Sequence, residues 1–352
     1  MWLVGVRVPL GWRARNGRAG AVPRGGQRAG RLRVAPGCRY SAVGGGQLHD
    51  ANFPTDAEGR TYHLGVRRGD VAPLVLSVGS ASRARKIAEE CLDAPADVIA
   101  SHRGFDIHTG TFRGIPVSVV ATGMGTPMMD FVLREVRAVT EGPLCVVRYG
   151  TCGGLQHARA GVGAVVVAEE SVMVQRNPDA FRRGGGATRG APYAVSRPVG
   201  AHPVVVDALA AELGQAFAPG TVVRGGDVTA CSFYASQGRL GTGFDDRNER
   251  LVADVLALHP NALSMQMETF HLFDLAESAS PGRGAVFAGA AAIVLAERDT
   301  NAFIDVSLID HLERTGGRAC LAALVRSADS LGIASGPLRS EEGSPAVSFP
   351  QQ

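Results

Sequence analysis

Lysine is almost missing from this 352-residue chain, where Lys86 is the single lysine among 36 basic residues. So lopsided a choice reads as nucleotide-composition bias, since arginine chemistry gives no reason to bar lysine from a solvated surface. Acidic residues are missing from residues 1–49, which hold nine arginines. Setting those aside leaves 27 basic against 33 acidic residues, so the body carries −6 although the whole chain is formally +3. A general nucleic-acid role loses its electrostatic basis there. No apolar run approaches the ~20 residues of a membrane span. No CxxC pair exists among Cys38, Cys91, Cys145, Cys152, Cys231 and Cys320, which excludes a zinc ribbon or disulfide frame and suits free thiols in a reducing compartment. No GxGxxG follows the first apolar strand, which argues against a dinucleotide oxidoreductase.

What is present is a core. Hydrophobic residues make up 45% of the chain, and the 46 glycines and 19 prolines are spread along it. Apolar runs alternate with helical patterns, which predicts an α/β fold: a single domain with a central mixed β-sheet flanked by helices. Its expected span is residues 50–332. Residues 1–49 are expected outside it, as an Arg/Gly-rich disordered extension or a targeting segment, and residues 333–352 as a polar tail. The expected compartment is the cytoplasm, with organelle targeting by residues 1–49 as the alternative. Strands are expected at Pro73–Gly79, Val98–His102, Phe105–Phe112, Ile115–Ala121, Leu144–Arg148, Gly163–Glu169, Gly220–Thr229 and Ala285–Ala296. Helices are expected at Ser80–Leu92, Met128–Thr140, His202–Phe217, from Thr269 through Ser278, and at Val306–Leu331. Gly241–Asn261 reads as a variable surface excursion.

Leu144–Gly154 (LCVVRYGTCGG) organises the chain. A buried strand runs into Arg148, then into a turn of small residues. In open α/β sheets ligands bind outside the carboxyl ends of the strands. An arginine leaving such a strand either meets an anion or escapes to solvent, and this stretch alone leaves both readings open. The junction Gly79-Ser80 with Arg83 in the first helical turn has the same two readings, an anion site or a plain βα turn. Thr122-Gly123-Met124-Gly125 before a helix is a third glycine-rich junction, suited to a phosphate or a sugar.

Taken in order, His63-Leu64-Gly65, Gly79 with Arg83, Ser101-His102-Arg103, Thr122–Gly125, Arg148–Thr151, Phe233 with Gln237-Gly238-Arg239, Met267-Glu268 and Arg298 resemble the nucleoside phosphorylase family, which includes uridine and purine nucleoside phosphorylases. The resemblance covers Tyr62–Leu331. The Gln-x-Arg element and Arg298 look like the uridine phosphorylase branch, since purine enzymes of this fold typically carry a Ser-Asp pair where Glu297-Arg298 stands. What it implies is a pentosyltransferase that cleaves uridine with phosphate to uracil and ribose 1-phosphate. Gly79, Arg83, Arg148 and Thr151 would cradle phosphate, with Arg103 arriving from the neighbouring subunit. Met267 and Glu268 would hold ribose, with His63 from the neighbour near the 5′-hydroxyl. Phe233 would stack on the base, Gln237 and Arg239 would bond its edge, and Arg298 would support that pocket; Arg148, Gln237 and Arg239 would be the catalytic groups. The implied partners are uridine, phosphate and a second copy of the chain in a homodimer or higher homo-oligomer, with no cofactor, metal, nucleic acid or membrane. Gly104 and Met128 depart from residues associated with a monovalent cation between subunits, so no such site is expected. Gln266 replaces a common glutamate, so hydrogen bonding at the ribose end is expected to differ.

The chemistry of these residue types agrees. Phosphorolysis places positive charge on the sugar and negative charge on the departing base. Arginines bind phosphate bidentately without losing their proton, and donors aimed at the base carbonyls stabilise the developing anion. The alternatives are a purine phosphorylase or hydrolytic nucleosidase of the same fold, and a non-catalytic nucleoside-binding relative. A hydrolase has no use for three phosphate arginines, and a binding relative is expected to have lost some of these polar residues.

Overall fold

The computed structural model describes residues 38–41, 48–181 and 190–333. In chain order the elements are β1 (Cys38–Ser41), β2 (Leu74–Val78), α1 (Ala81–Cys91), β3 (Asp97–Ser101), β4 (Asp106–Phe112), β5 (Ile115–Ala121), α2 (Thr126–Val139), β6 (Leu144–Gly154), β7 (Val165–Arg176), β8 (Tyr193–Val195), β9 (Val199–Gly200), α3 (Pro203–Ala216), β10 (Val222–Ala230), α4 (Leu251–Leu258), β11 (Ala262–Gln266), α5 (Thr269–Glu277), β12 (Val286–Glu297) and α6 (Val306–Ala328). None of the described helices is long and apolar enough to cross a membrane.

The strands lie in one mixed sheet, as expected. From β6 outward the open part runs β2, β5, β4, β3, β1. The text of β2, apolar but for Ser77, reflects burial on both faces, and it lies parallel between β5 and β6. Alternation on β6 shows why two helical layers are needed. Cys145, Val147 and Tyr149 enter the core that contains residues of α1, α3 and α6, whereas Leu144 and Val146 enter the core with residues of α2 and α5. Arg148 follows Val146 on that second face. Ser80 caps α1, its Oγ accepting from the Arg83 N–H at 3.3 Å.

The expectation of a strand ending at Arg148 is corrected: β6 continues through the glycines to Gly154. It pairs with β2 as far as Tyr149, then changes neighbour, so that Gly153 and Gly154 lie opposite Met265 and Ser264 of β11. Strands β6, β11, β10, β7 and β12 pair in succession, and β12 returns to β6, closing a ring. Small residues permit the change of neighbour. A Cβ on Gly154 would stand 2.8 Å from Val294 Cγ1 and 2.9 Å from the Ala160 carbonyl. A gap opens where β6 departs from β2.

Two other expectations are corrected. The excursion at 241–261 contains α4, which packs its Leu251 and Val255 inward, and β11 begins at its end. Within residues 1–49, Cys38–Ser41 form β1, parallel to β3 at the edge of the sheet. The rest of that segment to residue 37, and the expected tail from 334, lie outside the described residues.

Gly316 on α6 is where that helix meets β6. A Cβ there would lie 1.8 Å from the Tyr149 hydroxyl oxygen, which donates to the Leu312 carbonyl at 2.8 Å. On an exposed helix, glycine to alanine gains about 1 kcal/mol. Overpacking a rigid core costs about 1–3 kcal/mol or more, so Gly316→Ala is expected to lower the thermal midpoint, read by circular dichroism. An unchanged or higher midpoint would show that α6 shifts freely.

Candidate active site

The gap between β2 and β6 is the inner end of a cavity of about 740 Å³. Every site residue expected from the sequence lines it except Arg103 and His63. The strands deliver them in two groups.

At the inner end, Gly79 follows β2, Arg83 projects from the first turn of α1, and Arg148 and Thr151 come from β6. Arg83 is buried and held on three sides: Nε and Nη2 donate to Glu313 at 2.9 and 2.7 Å, and Nη1 to the Tyr149 carbonyl at 3.3 Å. Glu313, on α6, also receives Lys86 at 3.2 Å. Arg148 is 4% exposed. Its Nη2 donates to Glu268 at 2.6 Å, while its Nη1 is buried without a partner. A buried charged donor left unpaired is costly, and the cavity is the place where a partner fits.

Glu268 is the residue before α5, placed there by β11. Its second oxygen accepts the Gly125 N–H, at the start of α2, at 2.5 Å. Both carboxylate oxygens are therefore anchored, yet each keeps a lone pair for a further donor. Met267 lines the same wall.

At the outer end, Gln237 is buried in a short turn after β10. Its side-chain oxygen accepts from Arg239 at 3.4 Å, which leaves its amide N–H groups to face the cavity. Arg239 lies over the Phe233 ring at 3.9 Å and donates to the Phe233 carbonyl at 3.0 Å, so one ring face is already covered. Arg298 ends β12, donates to the Gln237 carbonyl at 2.9 Å and keeps a buried Nε without a partner. Burial lowers the pKa of both arginines, and Arg239 lowers that of Arg298 further. Two half-buried like charges near each other favour a ligand that is, or becomes, negative there. Asn248, missed in the sequence, fastens this turn by donating to the Ala235 and Arg239 carbonyls.

Cys152 also lines the cavity, but burial and the nearby Asp227 carboxylate push its thiol well above the usual range, against a nucleophilic role. It is a small residue of the cavity wall.

His63 and Arg103 are not brought to the cavity. They form a separate group with Tyr62 and His102. His63 Nδ1 lies 2.6 Å from Glu135 and its ring stacks on Phe131 at 3.8 Å. Arg103 bonds the Tyr62 hydroxyl and lies over its ring at 5.0 Å. Glu135, buried on α2, also accepts the His63 and Leu64 N–H groups, so the histidine is held rigidly on the surface.

Comparisons with known proteins agree with this geometry. Residues 73–307 match the profile of the phosphorylase superfamily. A uridine phosphorylase of Thermococcus kodakarensis is 31% identical over 257 residues, 72% of this chain and 83% of that protein. A purine nucleoside phosphorylase of Roseobacter denitrificans is 28% identical over 61% of this chain and 80% of its own length. Among solved structures, a uridine phosphorylase of the oomycete Phytophthora capsici superposes with a TM-score of 0.74 at 40% identity, covering 79% of this chain and 99% of that one. A Trypanosoma brucei nucleoside phosphorylase shares the fold, with a TM-score of 0.63 at 22% identity over 78% of this chain and 99% of its own.

Proposed function

The chain belongs to the phosphorylase superfamily, and from that premise we propose that it is a uridine phosphorylase, cleaving uridine with inorganic phosphate to uracil and ribose 1-phosphate. The observation that carries this reading is the unpaired Nη1 of Arg148, a residue in the wall of a cavity that also receives Arg83 and Thr151, with a Gln-x-Arg turn and Arg298 at the far end.

The reading orders the steps. Phosphate lies against Gly79, Arg83, Arg148 and Thr151, and Arg148 is shared with Glu268. The Glu268 carboxylate accepts from ribose hydroxyls, which fixes C1′ above the phosphate. A phosphate oxygen bonds to C1′ as the C1′–N1 bond breaks, and its electron pair leaves with the uracil. Positioning the two reactants contributes up to about 7–11 kcal/mol in well-aligned systems. Gln237 and Arg239 donate to the uracil edge as it becomes anionic, and Arg298 holds Gln237. Inorganic phosphate is a co-substrate, and this route uses no cofactor or side-chain nucleophile. The separate His63 and Arg103 group supports a homodimer in which each chain completes its neighbour's site.

The test is release of uracil from uridine with and without inorganic phosphate. Uracil and ribose 1-phosphate are expected only with phosphate. Equal release in phosphate-free buffer would make the protein a hydrolase, and inosine turnover outpacing uridine would make it a purine enzyme.

A further inference from the structure

Asp227 lies in β10, 2% exposed, and among the described residues no cation pairs with it. A buried lone carboxylate is expensive. Its surroundings are built to meet that cost with neutral donors. Ser264 Oγ donates to Oδ1 at 2.7 Å, while Ser171 Oγ and Gln266 Nε2 reach Oδ2 at 2.8 Å and Thr229 Oγ1 at 3.2 Å. The Thr229 oxygen itself accepts from Gln266 Nε2 and from the Phe270 N–H, so its single proton is free for Asp227. Four donors on one carboxyl group match the ionised form. Burial pushes its pKa above the usual carboxylate range, and these four bonds pull it only part of the way back. The titratable group facing it from β6 is the Cys152 thiol, which Asp227 itself helps to raise. On the far side of Gln266, which accepts the Glu268 N–H, Glu268 is paired with Arg148 at 2.6 Å.

Gln266 has two ends with opposite tasks. Its Nε2 faces Asp227 and Thr229, and its Oε1 accepts the Met267 and Glu268 N–H groups at 2.8 and 2.7 Å. A carboxylate accepts and cannot donate, so Asp227 forbids the flipped amide. Flipped, the glutamine would present N–H groups to two backbone N–H groups, and the turn carrying Glu268 would lose its anchor.

We propose that Asp227 is a positioning residue for Glu268: it orients the Gln266 amide, which pins the Met267–Glu268 backbone and aims the Glu268 carboxylate at Arg148 and Gly125. The kinetic part of its test rests on the proposed reading of Glu268 as the ribose carboxylate; the structural part does not.

The experiment exchanges the two groups. Gln266→Glu sets carboxylate against carboxylate where N–H···O now spans 2.8 Å, and such a pair must share a proton. A displaced Glu268 is expected to lower kcat/KM for uridine at least about tenfold at pH 8. Activity should recover as pH falls towards 6 and the pair keeps its proton. Adding Asp227→Asn returns an N–H to the contact. The double variant is expected within about threefold of the unmutated protein, without the added pH dependence. In crystal structures, Glu268 should leave Arg148 in the single variant and return in the double. The proposal is overturned if the single variant is fast with a flat pH profile, if its Glu268 stays on Arg148, or if the double variant is unfolded or remains tenfold down. If Gln266→Glu does not fold, the double variant decides alone. Absence of uracil release by the unmutated protein would remove the functional reading, while the displacement of Glu268 would still decide this one.

Discussion

Replacing Arg148 by alanine is expected to lower phosphate-dependent uracil release by about a thousandfold or more. One preorganised donor at a reacting anion is worth about 2.7–4 kcal/mol, a factor of 10²–10³. Arg148 adds to that by holding Glu268, which it meets at 2.6 Å with both groups buried. Removing one partner of a buried pair costs about 3–5 kcal/mol of stability, because the other charge is left uncompensated. Low activity alone would therefore not separate chemistry from folding. Adding Glu268→Gln to Arg148→Ala removes the orphaned charge and keeps an oxygen for the Gly125 N–H. That double variant is expected to regain most of the thermal midpoint and none of the activity. Glu268→Gln alone is the reference, because Glu268 is itself placed at the ribose: a double variant as active as Glu268→Gln would mean that Arg148 serves the fold alone. Arg148→Lys is expected to stay slow, since an ammonium cannot meet Glu268 and a phosphate with one rigid fork.

A mixture of two inactive proteins is expected to become active. Arg103 bonds Tyr62 outside the cavity of its own chain, and the proposed dimer sends it into the neighbour's site. Arg103→Ala would then disable the partner's phosphate site and leave its own Arg148 usable. Co-refolding it with Arg148→Ala/Glu268→Gln gives heterodimers with one intact site, pairing Arg148 of one chain with Arg103 of the other. Random exchange makes about half of the dimers mixed, so the ceiling is roughly a quarter of full activity. Each parent alone should stay below about one per cent, on the scale of lost phosphate contacts. If mass spectrometry shows heterodimers and the mixture stays dead, the sites are not shared.

Which parts of this site were readable depended on the reach of the interactions. Arg83 and Arg148 stand beside a local signal, a helix start and a strand end, whereas Gln237, Arg239, Glu268 and Arg298 were singled out by the family resemblance. Asp227 and β11 were missed. The strand expected at Gly220–Thr229 contains Asp227, but nothing within it shows what the carboxylate meets, and Ala262–Gln266 is five residues long with two polar ones. What makes Asp227 tolerable is Ser264, Gln266 and Ser171, at separations of 37, 39 and 56 residues. No window along the chain contains them together. The helix at Leu251–Leu258 was hidden differently: its apolar text is short and sits beside loops.

Local physical chemistry already dictated the buried strands as apolar runs, their alternation with helices, and the start of the first helix at Ser80, because each rests on residues within one or two turns of one another. It also placed Arg148 beside a glycine-rich run. Folding decided that this run stays a strand, because Gly153 and Gly154 let β6 abandon β2 for β11 and close a ring with β12. Where the sheet divides, a cavity must open, and Arg148 meets a carboxylate 120 residues away. Ring closure and ion pairing at that range join segments that no local preference connects, so only the assembled sheet specifies which arginine faces the cavity and which, like Arg103, faces away.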